Sequence, residues 1–270
     1  MLMNPDGGVG ETASCPNCGG LSFEMFEDIL DVDGRIALIE ICQACSALVN
    51  RVSLEKLQRE GESVREIQAA ELREVYPANP NEVAFGATLE EEVPHFRDVL
   101  SFFLRKAEIE RPASELVSAE IGIGRGTLLR AAAQVFHKAY GTDIDFELFN
   151  ATASQLAVPD NVVLIESLSH LPEPVDVVLA WHTLEHIPRL HDLVAAIRLL
   201  LKPGGHLFFQ VPLYRPENVV DSHYTFMNRR SISVLAEIQR FELVDIWTDH
   251  SRHFMTTIMR KPADDLRAQR

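Results

Sequence analysis

From residue 115 onward, short apolar runs alternate with segments whose apolar positions recur every three or four residues. The runs at 115–119, 138–143, 162–165, 175–180 and 206–211 predict strands. Between them, Leu128, Leu129, Ala132, Val135 and Phe136 keep helical spacing, as does the run 191–201. Strands that alternate with helices predict a parallel sheet covered by helices. Two more runs, 241–247 and 254–259, predict late strands. Upstream, 54–74 is charged and helical in composition until Pro77-Ala-Asn-Pro80 breaks it. Residues 82–107 predict one or two helices, with Phe96, Leu100, Phe103 and Leu104 as an apolar stripe. Nearer the start, Asp31-Val-Asp-Gly34 reads as a hairpin turn between apolar patches. The stretch 264–270 reads as a frayed tail.

Composition narrows the class. The chain has 270 residues, 46% of them hydrophobic, which suffices for a full core plus a small appendage. No apolar run approaches eighteen residues and no leader pattern opens the chain, so neither spanning nor secretion is expected, and a cytoplasmic location is. The formal net charge of -15 argues against nucleic acid held by broad phosphate neutralisation. Arg215, Arg229 and Arg230 are the local basic candidates.

The densest chemical signal is Ala119-Glu-Ile-Gly-Ile-Gly-Arg-Gly-Thr-Leu-Leu129. An acid precedes Gly122, Gly124 and Gly126 at the junction between a predicted strand and helix. Such turns hold nucleotide-like ligands, and glycine allows a ligand close to the backbone. The spacing is G-x-G-x-G, with Thr127 where a dinucleotide fingerprint needs its third glycine, and no Gly-Lys-Ser/Thr ending marks a P-loop.

This turn resembles motif I of the class I S-adenosylmethionine-dependent methyltransferases. Later phrases, Val175-Asp-Val-Val followed by Leu184-Glu-His-Ile187 and Leu201-Lys-Pro-Gly-Gly-His-Leu207, look like those of the ubiquinone/menaquinone and type 11/12 groups. The resemblance covers about residues 115 to 260. It implies a Rossmann-like α/β fold: a seven-stranded sheet with helices on both faces, its last two strands antiparallel.

It also implies roles. The glycine turn meets the amino-acid end of S-adenosylmethionine, with Glu120 near the ammonium. Asp143, about twenty residues past the first glycine, takes both ribose hydroxyls, with Ile144 beside it and Asp145 as the fallback. The adenine-contacting acid of the family is missing. Ser167, Glu166 or the backbone around Leu168 stands in its place. Ala180, Trp181 and His182 lie at the carboxyl end of the fourth strand, with Trp181 covering the adenine or methionine part.

Four cysteines form two C-x2-C knuckles, Cys15-Pro-Asn-Cys18 and Cys42-Gln-Ala-Cys45, with 23 residues between them. That is slightly long for a zinc ribbon but close to it. A lobe this small needs the metal to fold, and a closed four-cysteine zinc site is structural. Paired disulfides are the alternative. The domains then read as a ribbon at 10–52, a helical linker or cap at 53–112 and a methyltransferase domain at 113–262.

His182-Thr-Leu-Glu-His186 matches H-x-x-E-H, a zinc-peptidase pattern. Here it follows a strand directly and Pro188 interrupts it after one turn, so that reading is set aside. His182 is the first candidate base for a hydroxyl acceptor and His223 the second. Glu185 and His186 are assigned to loop support, and Tyr214, Tyr224 and Phe226 to pocket lining. The expected activity is methyl transfer to a small molecule, such as a sugar or another biosynthetic intermediate, through a hydroxyl oxygen. An RNA or protein methyltransferase that grips its target with the ribbon, and a non-catalytic scaffold, are the alternatives.

Overall fold

The computed structural model describes residues 14–31, 34–60, 89–153 and 156–264. It begins with β1 (Phe23–Leu30), β2 (Ile36–Cys42), β3 (Leu48–Asn50) and α1 (Arg51–Glu60). Helix α2 (Leu89–Lys106) leads into β4 (Val117–Ile121), α3 (Thr127–Val135), β5 (Lys138–Thr142), α4 (Glu147–Ala153) and β6 (Val162–Leu164). Then follow β7 (Val175–Trp181), α5 (Leu190–Leu200), β8 (Leu201–Pro212), β9 (Thr225–Phe226), α6 (Arg229–Ile238), β10 (Glu242–Asp249) and β11 (Phe254–Arg260). The predicted helical stretches beyond residue 60 and before residue 89, the inner residues of the hairpin turn and the last six residues lie outside the described set.

Seven strands make the large sheet, in the order β10-β11-β8-β7-β4-β5-β6. The five from β8 to β6 are parallel, and β11 and β10 close the edge antiparallel. Strand β7 is apolar and buried along nearly its whole length, as a parallel strand covered on both faces must be. Its alternate residues sort the core. Val177 and Leu179 pack with α2 and α3, through Leu100, Phe103, Leu129 and Ala132. Val178 and Ala180 pack with α5 and α6, through Leu190, Val194, Ile232 and Leu235. Three layers result, and the chain reverses its direction of progress across the sheet between β4 and β7, where such folds leave a crevice at the carboxyl ends.

Two local expectations shift. The first large-sheet strand starts at Val117, because Ala113–Glu115 forms a short 3-10 turn after Pro112. The strand expected at 206–211 begins at Leu201 instead, with Lys202-Pro-Gly-Gly205 absorbed into β8 as an irregularity, Val175 being paired to Leu201 but Val177 to His206. Gly204, at φ +77°, permits the detour. The final carbonyls of α5 are then met by the buried Lys261 ammonium, which donates to Arg198 O at 2.9 Å and Leu201 O at 2.8 Å. Among the described residues no helix is long and apolar enough to cross a membrane.

A second, four-stranded antiparallel sheet runs β1-β2-β3-β9. Its first three strands come from the cysteine-bearing segment. The fourth comes from the loop after β8, with Leu48 opposite Phe226 and Val49 opposite Thr225. The small lobe is thus completed by a strand from the catalytic-fold half of the chain.

Candidate active site

At the carboxyl end of β4 the chain enters three left-handed glycines, with φ of +73° at Gly122, +48° at Gly124 and +75° at Gly126. Their reasons differ. A Cβ on Gly122 would stand 2.4 Å from Thr183 Oγ1, and one on Gly126 would stand 2.4 Å from the Phe149 ring. Those two glycines are required by packing. Only Gly124 faces open space, with nothing within 4 Å of its absent Cβ. It is the point where a ligand can approach the backbone.

Asp143 follows β5 directly and accepts from Gly124 N–H at 2.8 Å, tying the turn to the next strand. Asp145 instead accepts from Glu147 N–H at 2.7 Å and serves the start of α4. Glu120, at the end of β4, is 2% exposed, and its Oε2 has no hydrogen-bond partner among the described residues. Burial, with Asp143 adding repulsion, pushes its carboxyl well above the usual carboxylate range. Burial also raises Asp143, against the pull of the Gly124 amide. Two buried acids around an open glycine turn suit a ligand that brings a positive charge and hydroxyl donors. S-adenosylmethionine, with its ammonium, sulfonium and ribose, has that chemistry.

Ser167 precedes a 3-10 turn at Leu168–His170 and bonds His170 Nδ1 at 3.0 Å. Leu168 packs against the core from the same end of the sheet. Ala180 is fully buried in β7. Trp181 directs its ring toward α2, edge-on to Phe96 at 5.5 Å and beside Phe103 at 5.8 Å. Helix α2 also reaches the glycine turn, where Glu92 accepts from Thr127 Oγ1 at 3.2 Å and faces Arg125 at 3.7 Å.

The histidines gather on a residue that sequence reasoning assigned to loop support. His182 leaves β7 at φ +52°, an uncommon conformation for a side-chain-bearing residue and one that clusters at functional sites. Its Nε2 meets Gln210 Oε1 at 3.1 Å, and its Nδ1 lies 3.6 Å from Glu185 Oε1. Glu185 is 1% exposed. His186 Nε2 is 4.0 Å from the same oxygen. His223 stacks edge-on to His186 with ring centres 4.6 Å apart. Burial would raise the Glu185 carboxyl, but the His182 contact and the other two rings hold it below its ordinary value. Burial, aided by His186, pushes His223 down to about 4, so its ring is neutral at pH 7. The signal for Glu185 was its place in H-x-x-E-H. The convergence of His223 on it had no local signal.

The ribbon holds this cluster in place. Tyr224 N–H donates to Glu185 O at 2.9 Å, while Tyr224 O accepts from Asn50 N–H, the last residue of β3, at 3.1 Å. Tyr224 is buried against Cys15, Cys42, Cys45 and Leu54, and Phe226 against Ala37 and Ile39. Tyr214 bonds Glu27 on β1 through its hydroxyl. These three rings were expected to line a substrate pocket, and instead they join the lobes. Further ties run from Asn17 Nδ2 to Ser231 O at 3.0 Å, and from both His191 N–H and Nδ1 to Pro16 O at 2.9 Å each.

The four cysteines are free thiols, with Cys15 Sγ 3.7 Å from Cys45 Sγ and Cys18 Sγ 3.7 Å from Cys42 Sγ. A disulfide would need about 2.05 Å. Four sulfurs at about 2.3 Å from one tetrahedral ion stand about 3.8 Å apart. The observed spacing therefore fits a zinc-ribbon cluster better than paired disulfides.

Comparison with known proteins agrees with this geometry. A family model described as a methyltransferase domain matches residues 90–258. The ubiquinone biosynthesis O-methyltransferase of Burkholderia orbicola is 32% identical over 96 residues, covering 33% of this chain and 41% of the relative. That of Methylococcus capsulatus is 34% identical over 98 residues, covering 34% and 41%. The matches thus span about two fifths of these relatives. Among solved structures, the N-methyltransferase NodS from Bradyrhizobium japonicum WM9 in complex with S-adenosyl-L-homocysteine shares the fold at a TM-score of 0.54 and 14% identity, over 74% of this chain and all of that one. Magnesium protoporphyrin IX methyltransferase from Synechocystis PCC 6803 does so at 0.51 and 15%, over 74% of this chain and 96% of that one. Since the family model spans well over half of the chain and encloses the glycine turn, Asp143 and the histidine cluster, the chain belongs to the methyltransferase-domain family.

Proposed function

We propose that this protein transfers the methyl group of S-adenosylmethionine to an oxygen of a small-molecule acceptor. The observation that carries the reading is the buried Glu120 carboxyl, whose Oε2 has no partner among the described residues, beside the open Gly124 turn and Asp143. The oxygen acceptor is supported by the likeness to O-methyltransferases.

Bound there, the cofactor supplies an electrophilic methyl group on a sulfonium leaving group. Glu120 neutralises the ammonium and Asp143 accepts the ribose hydroxyls, with Ile144 alongside. Gly122, Gly124 and Gly126 shape the turn. Ser167 and Leu168 would border the adenine, Ala180 would end the strand beneath the cofactor, and Trp181 would stand between it and α2. His182 takes the acceptor proton at Nδ1, since Gln210 Oε1 engages its Nε2–H and Gln210 Nε2 is spent on Thr256 Oγ1 at 2.8 Å. Glu185, 3.6 Å away, balances the imidazolium that forms. His223, the second candidate base, packs edge-on to His186 beside Glu185. Zinc at Cys15, Cys18, Cys42 and Cys45 is structural, and the ribbon it folds positions the loop that carries His223.

Calorimetric titration with S-adenosylmethionine and S-adenosylhomocysteine tests the cofactor site. Micromolar binding that Asp143→Ala weakens about 10- to 150-fold is the expected result. A folded wild-type protein that binds neither would overturn the proposal. A panel of phenolic and sugar hydroxyl acceptors then tests the oxygen assignment through S-adenosylhomocysteine release.

A further inference from the structure

Glu185 is a buried carboxylate whose Oε2 meets no hydrogen-bond donor among the described residues. Such a group is costly unless a cation or donor set compensates it. Two imidazoles beside it are arranged in an informative way. His186 Nδ1 lies 3.1 Å from Ser222 O and His223 Nδ1 lies 2.6 Å from Asn218 O. A carbonyl oxygen only accepts, so each Nδ1 carries the hydrogen and each Nε2 carries the lone pair. Backbone carbonyls that fix the tautomer in this way are the usual outer partners of metal-binding histidines.

One ligand atom from each of Glu185, His186 and His223 lies within 4.8 Å of the other two. We infer that Glu185, His186 and His223 bind a divalent transition-metal ion of the zinc and cobalt class, at a site separate from the four cysteines. Two imidazoles and one carboxylate are a common donor set for such ions and leave coordination positions open. Ligands about 2.1 Å from a tetrahedral ion stand about 3.4 Å apart, so closure needs only small side-chain rotations from the observed spacing.

The chain geometry explains why the H-x-x-E-H spacing misleads. The 3-10 turn Leu184–His186 and the left-handed His182 turn the first histidine toward Gln210. The two histidines four apart therefore do not act as the pair. The second imidazole comes from the loop that the ribbon clamps. The site itself does not depend on the proposed methyl transfer. Its purpose rests on that reading, in which an open position on the ion would hold the acceptor oxygen and favour its deprotonation.

The test adds Co2+ to full-length protein whose cysteine site already carries zinc. About one further equivalent is expected, with visible ligand-field absorption and no sulfur-to-cobalt charge-transfer band. Glu185→Gln and, separately, His223→Ala should weaken that uptake about tenfold or more while zinc content and circular dichroism stay unchanged. Two variants guard against misfolding of one. No further equivalent in wild-type protein, uptake accompanied only by thiolate charge transfer, or unchanged uptake in both folded variants would overturn the assignment. Binding of S-adenosylhomocysteine, measured on the same preparations, reports on the methyl-transfer reading independently: its loss with cobalt uptake intact would sink that reading and leave the metal site standing.

Discussion

The proposed cofactor and acceptor sides of the crevice are built from different kinds of contact. On the cofactor side, Glu120, the glycine turn and Asp143 follow adjacent parallel strands, β4 and β5, and their spacing in the chain sets their spacing in the fold. On the acceptor side, His182 and Glu185 follow β7, but His223 arrives from a loop held by the cysteine lobe. The first side is a property of one strand-turn-helix unit and its neighbour. The second requires two sheets to dock. The difference means that the two halves should fail separately.

The largest separation is expected from Cys42→Ser. It removes a sulfur from the buried heart of the ribbon, where Cys15, Cys45, Val49 and Tyr224 also pack. We expect zinc loss, fast amide exchange across 219–226 and acceptor turnover reduced about 100-fold or more. Affinity for S-adenosylhomocysteine should stay within about threefold. Equal loss of both functions would mean that the halves are one cooperative unit.

The reverse break comes from the acids. Glu120→Gln and Asp143→Ala each remove a charged hydrogen-bonding group worth about 1.5–3 kcal/mol, so cofactor affinity should fall about 10- to 150-fold. Cobalt uptake and zinc content should not change. Calorimetry with both ligands reads the two halves side by side.

Within the cofactor side, the glycines sharpen the distinction between packing and ligand approach. Gly122→Ala drives a methyl group into Thr183 and should destabilise the fold by about 2–4 kcal/mol. Gly124→Ala meets no atom and should cost about 1 kcal/mol for its left-handed backbone, while weakening cofactor binding. Adding Thr183→Ala should restore part of the first loss and none of the second, a coupling that urea denaturation of the double mutant measures.

The smallest effect lies away from both halves. Burial, with Arg260 nearby, lowers His206 from 6.5 to about 4. Between those values the unfolded chain binds the proton more readily. Stability is therefore full above about pH 6.5 and is lost as pH falls toward 4, by up to about 3 kcal/mol. His206→Phe, beside Phe208 on the same strand, should remove its share of that slope and leave the share of His223, without altering either ligand site. Thermal melts from pH 4 to 8 would show it, and an unchanged slope would place the acid sensitivity elsewhere.

Much of the fold could be read in advance because apolar runs record burial directly. Strand β7 is apolar along its length because both its faces are covered, and α3 keeps the spacing of its buried face. The Gly-x-Gly-x-Gly turn and the acid after β5 stood out for the same reason, since local backbone demands leave local residue choices. The cysteine knuckles were equally legible, because a metal site restricts both type and spacing. Tyr224 and Phe226 misled, because a buried aromatic ring has the same sequence appearance whether it lines a pocket or seals two lobes. The purpose of Gly122 was also hidden, since Thr183 meets it only across the crevice.

The sequence alone therefore determined the alternating strands and helices, the paired cysteine knuckles and the glycine turn with its flanking acids, all from short-range spacing. Tertiary structure decided the fourth strand of the small sheet, the burial of Glu185 beside the histidines and the meeting of His186 with His223. Those depend on how the ribbon packs against the loop after β8. Packing of that kind joins distant segments by shape and burial, and leaves no periodic mark along the chain.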